Sequence, residues 1–280
     1  MKKTLLTILV VSILVVSCVL GVACTKTKYT IGTQSGTTGQ YYIAGDADWG
    51  YDGFSNVKCA TYTNAGLAVN DMKNGNINAV CIDSAPADFL VKSIEGIKVI
   101  DIPLTDEEYA FGVDKNQDDL LTKINEILSS TEFATAKEDI MNKYFNGATV
   151  EGVSALTTAD ASKKDTQLVV ATNAEFAPFE YKIGDKFAGI DMEIAAYIAN
   201  KLGMELVILD MEFDSVVTSV GTNNIDVGMA GLTVTEERKQ SVNFTNSYYT
   251  ASQKLVVLAS DTSYDNCKTA ADVEAVIKSK

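Results

Sequence analysis

At 280 residues, 46% hydrophobic and 21% charged, the chain has apolar content for one or two buried cores, which excludes disorder as its general state. Its formal net charge of −14 repels nucleic acid and anionic lipid surfaces. Histidine is absent, which removes the commonest general base, a common zinc ligand and any serine or cysteine nucleophile that depends on imidazole.

Lys2 and Lys3 precede an apolar run from Leu5 to Val16, broken only by Thr7 and Ser12, that ends in small residues. This is the pattern of a secretory signal rather than a spanning helix. Val15-Val16-Ser17-Cys18 and Gly21-Val22-Ala23-Cys24 both place small residues before a thiol, as lipoprotein processing requires. Cys24 is the favoured acceptor, because Thr25 to Lys28 then begins a polar tether. Residues 1–23 read as signal peptide and 24–28 as tether, with the mature chain lipid-anchored on the outer face of the cell membrane or periplasmic. Cys59, Cys81 and Cys267 are an odd number at unrelated spacings, so neither a disulfide framework nor a metal site is implied.

From Tyr29, strand-like and amphipathic runs alternate: Tyr29 to Gln34, then a helix over Thr37 to Gly45; Val57 to Thr63, then Ala65 to Lys73; Ala79 to Asp83, then Ala85 to Ile94. That rhythm predicts a parallel α/β sheet. Trp49, Tyr51 and Phe54 gather in the Asp46 to Phe54 segment, which reads as a surface loop with an aromatic anchor. Strands follow at Lys98 to Ile102 and Tyr109 to Val113. Helices follow over Asp118 to Leu128, with one apolar face, and Thr131 to Tyr144. Residues 148–165, rich in Ala, Thr, Ser and charge, read as a flexible linker. The rhythm restarts with a strand at Leu168 to Thr172, a helix at Asp191 to Leu202 and a strand at Glu205 to Met211. Ser215 to Val220 (helix), Asp226 to Ala230 (strand), Glu236 to Val242 (helix), Lys254 to Ala259 (strand) and Ala270 to Ile277 (helix) complete the reading.

The run LVVATNAEFAPFEY from Leu168 to Tyr181, GIDME from Gly189, AGLTVTEER from Ala230 to Arg238 and FTNSYY from Phe244 resemble the first half of polar amino-acid-binding proteins of bacterial ABC transporters, the extracellular solute-binding protein family 3. IGTQSGTTG from Ile31, NAVCIDSAPA from Asn78 and DIMNKYF from Asp139 resemble that family's second half. The resemblance implies an α/β, two-lobed periplasmic-binding-protein type II fold: two doubly wound sheets joined by a two-strand hinge, here in circularly permuted order. Lobe 2 would combine 29–108 with 252–280, and lobe 1 would combine 110–145 with 167–249. Residues 148–165 would then join the ends that are the native termini in relatives.

Arg238 matches the family's carboxylate-binding arginine, with Gly231 and Thr233 offering backbone N–H groups and Gly36, Thr37 and Thr38 approaching from the other lobe. A guanidinium grips a carboxylate bidentately. Read alone, Arg238 would pair with Glu236 or Glu237 on the surface. By resemblance Asp83 holds the ligand ammonium; read alone, it is a helix N-cap before Ser84. Phe176 and Phe213 match aromatic walls, and Asn173 and Glu175 are placed to reach the ligand side chain, although either Phe alone would default to core packing.

The resemblance thus implies capture of a free L-amino acid (glutamine, arginine, lysine, histidine or cystine) for delivery to an ABC transporter permease, without cofactor, metal or nucleic acid. The chain would act as a monomer, with a swapped dimer as the alternative. A cyclohexadienyl-type dehydratase on the same fold, with Glu175 as general acid, and an amino-acid-sensing protein are the competing readings.

Overall fold

A computed structural model describes residues 28–280. The signal segment, Cys18 and Cys24 lie outside the described residues.

Strands β1 (Thr30–Gln34), β2 (Lys58–Tyr62), β3 (Ala79–Asp83), β4 (Ile97–Ile100) and β15 (Gln253–Leu258) form one five-stranded sheet in the order β2-β1-β3-β15-β4. β1 runs parallel to β2 and β3, and β15 inserts antiparallel between β3 and β4. Every residue of β3 is buried, as a strand covered on both faces requires. Helices α1 (Thr38–Ala44), α2 (Ala65–Lys73), α3 (Ser84–Ser93) and α8 (Ala270–Lys278) belong to this β1 lobe. Asn64 starts α2 by accepting from the Leu67 N–H, and a reciprocal Thr269–Asp272 capping box starts α8.

The second sheet repeats the plan. β6 (Gly112–Asp114), β7 (Gln167–Thr172), β11 (Glu205–Asp210), β12 (Val227–Gly228) and β13 (Val242–Phe244) lie in the order β11-β7-β12-β6-β13. Here too an antiparallel strand, β6, sits fourth. Helices α4 (Asp118–Leu128), α5 (Thr131–Phe145), α6 (Ile190–Leu202) and α7 (Phe213–Ser219) belong to this β7 lobe. A small sheet of β8 (Glu175–Phe176), β9 (Glu180–Ile183) and β10 (Lys186–Ala188) is attached to it.

The chain passes between lobes along β5 (Glu107–Tyr109) and β14 (Tyr249–Ala251), paired antiparallel as Tyr109↔Tyr249, Glu108↔Thr250 and Glu107↔Ala251. This is the two-strand hinge. The expected strand Tyr109 to Val113 is therefore two strands, β5 in the hinge and β6 in the sheet.

Two further expectations are corrected. Glu236 to Val242 is not a helix but a 3-10 turn at Arg238–Gln240 followed by β13, because Val242 is the sole apolar residue in that stretch and no apolar face exists to bury. Residues 148–165 are not a free coil. Val153 bridges Phe187, and Leu156 donates to the Leu206 carbonyl at 2.9 Å while accepting from Ile208 at 2.8 Å. Val150, Val153 and Ala155 pack on the core, which anchors the segment to the β7 lobe.

Candidate functional site

The site lies where strand ends of both sheets face each other, the position in which open α/β sheets hold ligands. From the β1 lobe come Gln34 at the end of β1, Thr37 and Thr38 at the start of α1, and Asp83 at the end of β3. Phe176, Phe213, Gly231, Thr233 and Arg238 come from the β7 lobe. Together they line a tight cavity of about 10 Å³ between the lobes.

Arg238 is buried, and its guanidinium donates to the Thr233 carbonyl at 2.9 Å and the Gly36 carbonyl at 3.1 Å. Both partners are neutral. Glu236 pairs instead with Lys239, and Glu237 accepts from the Trp49 indole, so the surface ion pair open to Arg238 in the sequence does not form. Burial lowers the guanidinium pKa, with Glu107 acting in the opposite direction.

Asp83 is buried and makes no capping bond to α3; its carboxylate accepts from the Tyr109 hydroxyl at 2.6 Å. Burial first, then the nearby Glu107, pushes its pKa up to about 7. Glu107 is itself buried and accepts from Thr105, from Thr233 at 2.7 Å and from Gln253 at 3.1 Å. The cleft thus carries buried carboxylates on one side and a buried guanidinium on the other.

The lobes touch directly across the cleft. Gln34 donates to Asn173 Oδ1 at 3.0 Å, Thr38 to the Thr233 hydroxyl at 3.3 Å and Ser35 to Asp214 at 2.8 Å. Gln34 Oε1 is buried without a hydrogen-bond partner. This is a closed arrangement, stabilised by bonds worth roughly 0.5–1.5 kcal/mol each.

Three expected site residues stand apart from the cavity lining. Asn173 lies behind Gln34 and also donates to the Met211 carbonyl at 2.9 Å. Gly36 sits on the outer side of Arg238, contributing its carbonyl. Glu175 is exposed at the rim, where it accepts from Asn64 of the opposite lobe at 2.8 Å, and does not reach the cavity. The Gly231 N–H, expected to face a ligand, instead donates to Asp191 Oδ2 at 2.9 Å. Asp191 also accepts from the Tyr248 hydroxyl, and burial raises its pKa to about 7. A side chain at Gly231 has little room, since a Cβ there would lie 3.1 Å from Phe176 and 3.2 Å from Tyr109.

Sequence reasoning missed Gln34, Glu107 and Tyr109 and read Trp49 only as part of a surface loop with an aromatic anchor. Gln34 had a usable signal, because it ends β1 two positions before the Gly36-Thr37-Thr38 turn. Glu107 and Tyr109 had none, since the hinge brings them to the site from a segment with no motif of its own.

Two like-built α/β lobes on a two-strand hinge, closing over a buried arginine and a buried aspartate, define a cleft-binding protein of the type II periplasmic-binding-protein fold. Residues 168–279 match the sequence pattern of the bacterial extracellular solute-binding proteins, family 3. The chain is 40% identical over 98 residues to the arginine-binding extracellular protein ArtP of Bacillus subtilis, covering 35% of this chain and 38% of that protein. It is 30% identical over 112 residues to the L-arginine-binding protein of Pseudomonas aeruginosa, covering 40% of this chain and 42% of the relative. The chain thus matches about two fifths of the length of these curated relatives. Among solved structures, the arginine-bound form of domain 1 from TmArgBP is 31% identical, with 44% of this chain and 100% of that chain covered and a TM-score of 0.29.

Proposed function

We propose that the protein works outside the cytoplasm, capturing a free polar L-amino acid between its lobes and delivering it to an ABC transporter permease. One observation carries the reading: Arg238 and Asp83, buried and opposite in charge, line the same cavity from different lobes. An amino acid presents a carboxylate and an ammonium at fixed separation. A site that strips water from both must return charge-assisted hydrogen bonds to each. Only the closed state brings both protein groups to one ligand, so differential affinity drives closure.

Arg238 binds the carboxylate, with Thr37, Thr38 and Thr233 around it, and Asp83 binds the ammonium. Phe176 and Phe213 cover the aliphatic portion. Relatives named for arginine support a basic side chain, as do the extra buried carboxylate Glu107 and the unpartnered Gln34 Oε1. The dehydratase reading placed its general acid at Glu175, which is exposed and outside the cavity, so the geometry favours binding.

A thermal-shift screen of the twenty amino acids and cystine tests this directly. A basic or amide-bearing amino acid at a thousand times its Kd raises stability by about 4 kcal/mol. No shift with any of them overturns the reading.

The permuted order belongs to the same proposal. Both described ends lie on the β1 lobe: the Tyr29 and Tyr264 hydroxyls are 3.1 Å apart, and Lys280 Nζ sits 5.2 Å from the centre of the Tyr29 ring. Lipid attachment at Cys24, or at Cys18, predicts that the mature protein partitions into detergent. Recovery in the aqueous phase after signal processing counts against it.

A further inference from the structure

The loop between α1 and β2 belongs to the β1 lobe, and its tip rests against the other. Asp46 and Tyr51 close it as an antiparallel bridge, with N–H to carbonyl distances of 2.8 and 2.9 Å. At its tip Trp49 stacks on Tyr41 of α1, with ring centroids 4.1 Å and planes 21° apart. From that perch the indole crosses the cleft. The Arg238 guanidinium carbon lies 5.2 Å from the Trp49 ring centre and 5.4 Å from that of Phe213, and the indole N–H donates to the Glu237 carboxylate. Arg238 therefore contacts one aromatic ring from each lobe.

A packing role does not account for this. Trp49 is only partly buried, and the polar and cationic partners of its indole, Glu237 and Arg238, belong to the opposite lobe. We infer that Trp49 is a positioning residue of the ligand site, which swings in with the β1 lobe on closure, covers Arg238 and holds its guanidinium plane for a carboxylate. The contact forms only after the ligand has entered, so its contribution falls on escape rather than entry. A cation–π contact in a water-poor setting, together with the Glu237 bond, corresponds to about a tenfold change in affinity.

This inference rests on the amino-acid-binding reading, and the test separates the two. L-arginine, L-lysine, L-histidine, L-glutamine and L-cystine are titrated in turn into the wild-type chain, Trp49→Ala, Trp49→Phe and Glu237→Gln, with dissociation followed by stopped flow. If the wild type binds none of them, the binding reading fails. If it binds, Trp49→Ala should bind roughly tenfold more weakly through faster dissociation, with Trp49→Phe recovering part and Glu237→Gln losing less. Wild-type affinity and dissociation rate in Trp49→Ala overturn the inference.

A second readout needs no variant, because Trp49 is the single tryptophan of the chain. Saturating amino acid should shield its emission from iodide. Unchanged iodide access in a wild-type protein that binds also overturns the inference.

Discussion

Arg238 and Asp83 are held out of water without being paired to each other, an expensive arrangement that a zwitterion relieves. Arg238→Ala and Asp83→Ala should each lose about 2–5 kcal/mol of amino-acid affinity by calorimetry, as truncation of one partner of a buried charged contact does. Wild-type affinity in both would refute the site. The sign of the pH dependence follows from the raised Asp83 and Asp191, both near 7 in the fold against an ordinary 3.8. Between those values the unfolded chain has released protons that the fold still holds, so the unliganded protein loses stability as pH rises through that window. Asp83→Asn should flatten the dependence, measured as Tm against pH. Ligand ammonium favours the ionised carboxylate, so amino-acid uptake near pH 6 should release protons, detectable as buffer-dependent binding heat and absent in Asp83→Asn. At this scale the motif residues that line the cavity were legible in the sequence. The direction of a hydrogen bond was not: the Gly231 N–H is taken by Asp191, a choice set by packing between segments distant in sequence.

At the scale of elements, long buried strands and amphipathic helices were readable from their periodicity. The two- and three-residue strands β8 and β10 were not, because so few residues carry no period and their pairing is decided by neighbours. One turn joins element geometry to function. Gly36 has φ +72, and a Cβ there would fall 1.9 Å from Asp214 Oδ1 of the opposite lobe. Open lobes remove that collision but not the backbone strain. Gly36→Ala should therefore cost about 1 kcal/mol of stability but at least roughly tenfold in affinity, with Asp214→Ala restoring part of the affinity. A loss confined to Tm would show that the turn has no part in closure.

For the whole molecule, the alternation of strands and helices pointed to two α/β units, while their order along the chain emerged from motif positions and not from any local signal. Reversing that order is the direct test. Linking residue 280 to residue 29 by a short Gly/Ser peptide and opening the chain at Gly147, which is clear of the Val153 and Leu156 bridges, should give a monomer by light scattering with wild-type affinity. Aggregation, or loss of binding in a folded product, would argue against the permuted arrangement.

Insertion of β15 between β3 and β4 also sets an order of assembly. Cys81 on β3 and Gln253 on β15 come within hydrogen-bonding reach although 172 positions separate them. Closing so long a loop through disordered chain is slow, whereas a folded β7 lobe delivers β14 beside β5 and brings β15 to its slot at little further entropic cost. The β7 lobe should therefore mature first, and in pulsed hydrogen exchange the β15 amides should gain protection last. Until then β3 and β4 present unpaired edges to solvent, and the strand that fills them need not come from the same chain. Dilution during refolding should accordingly favour the self-contained molecule over an exchanged pair.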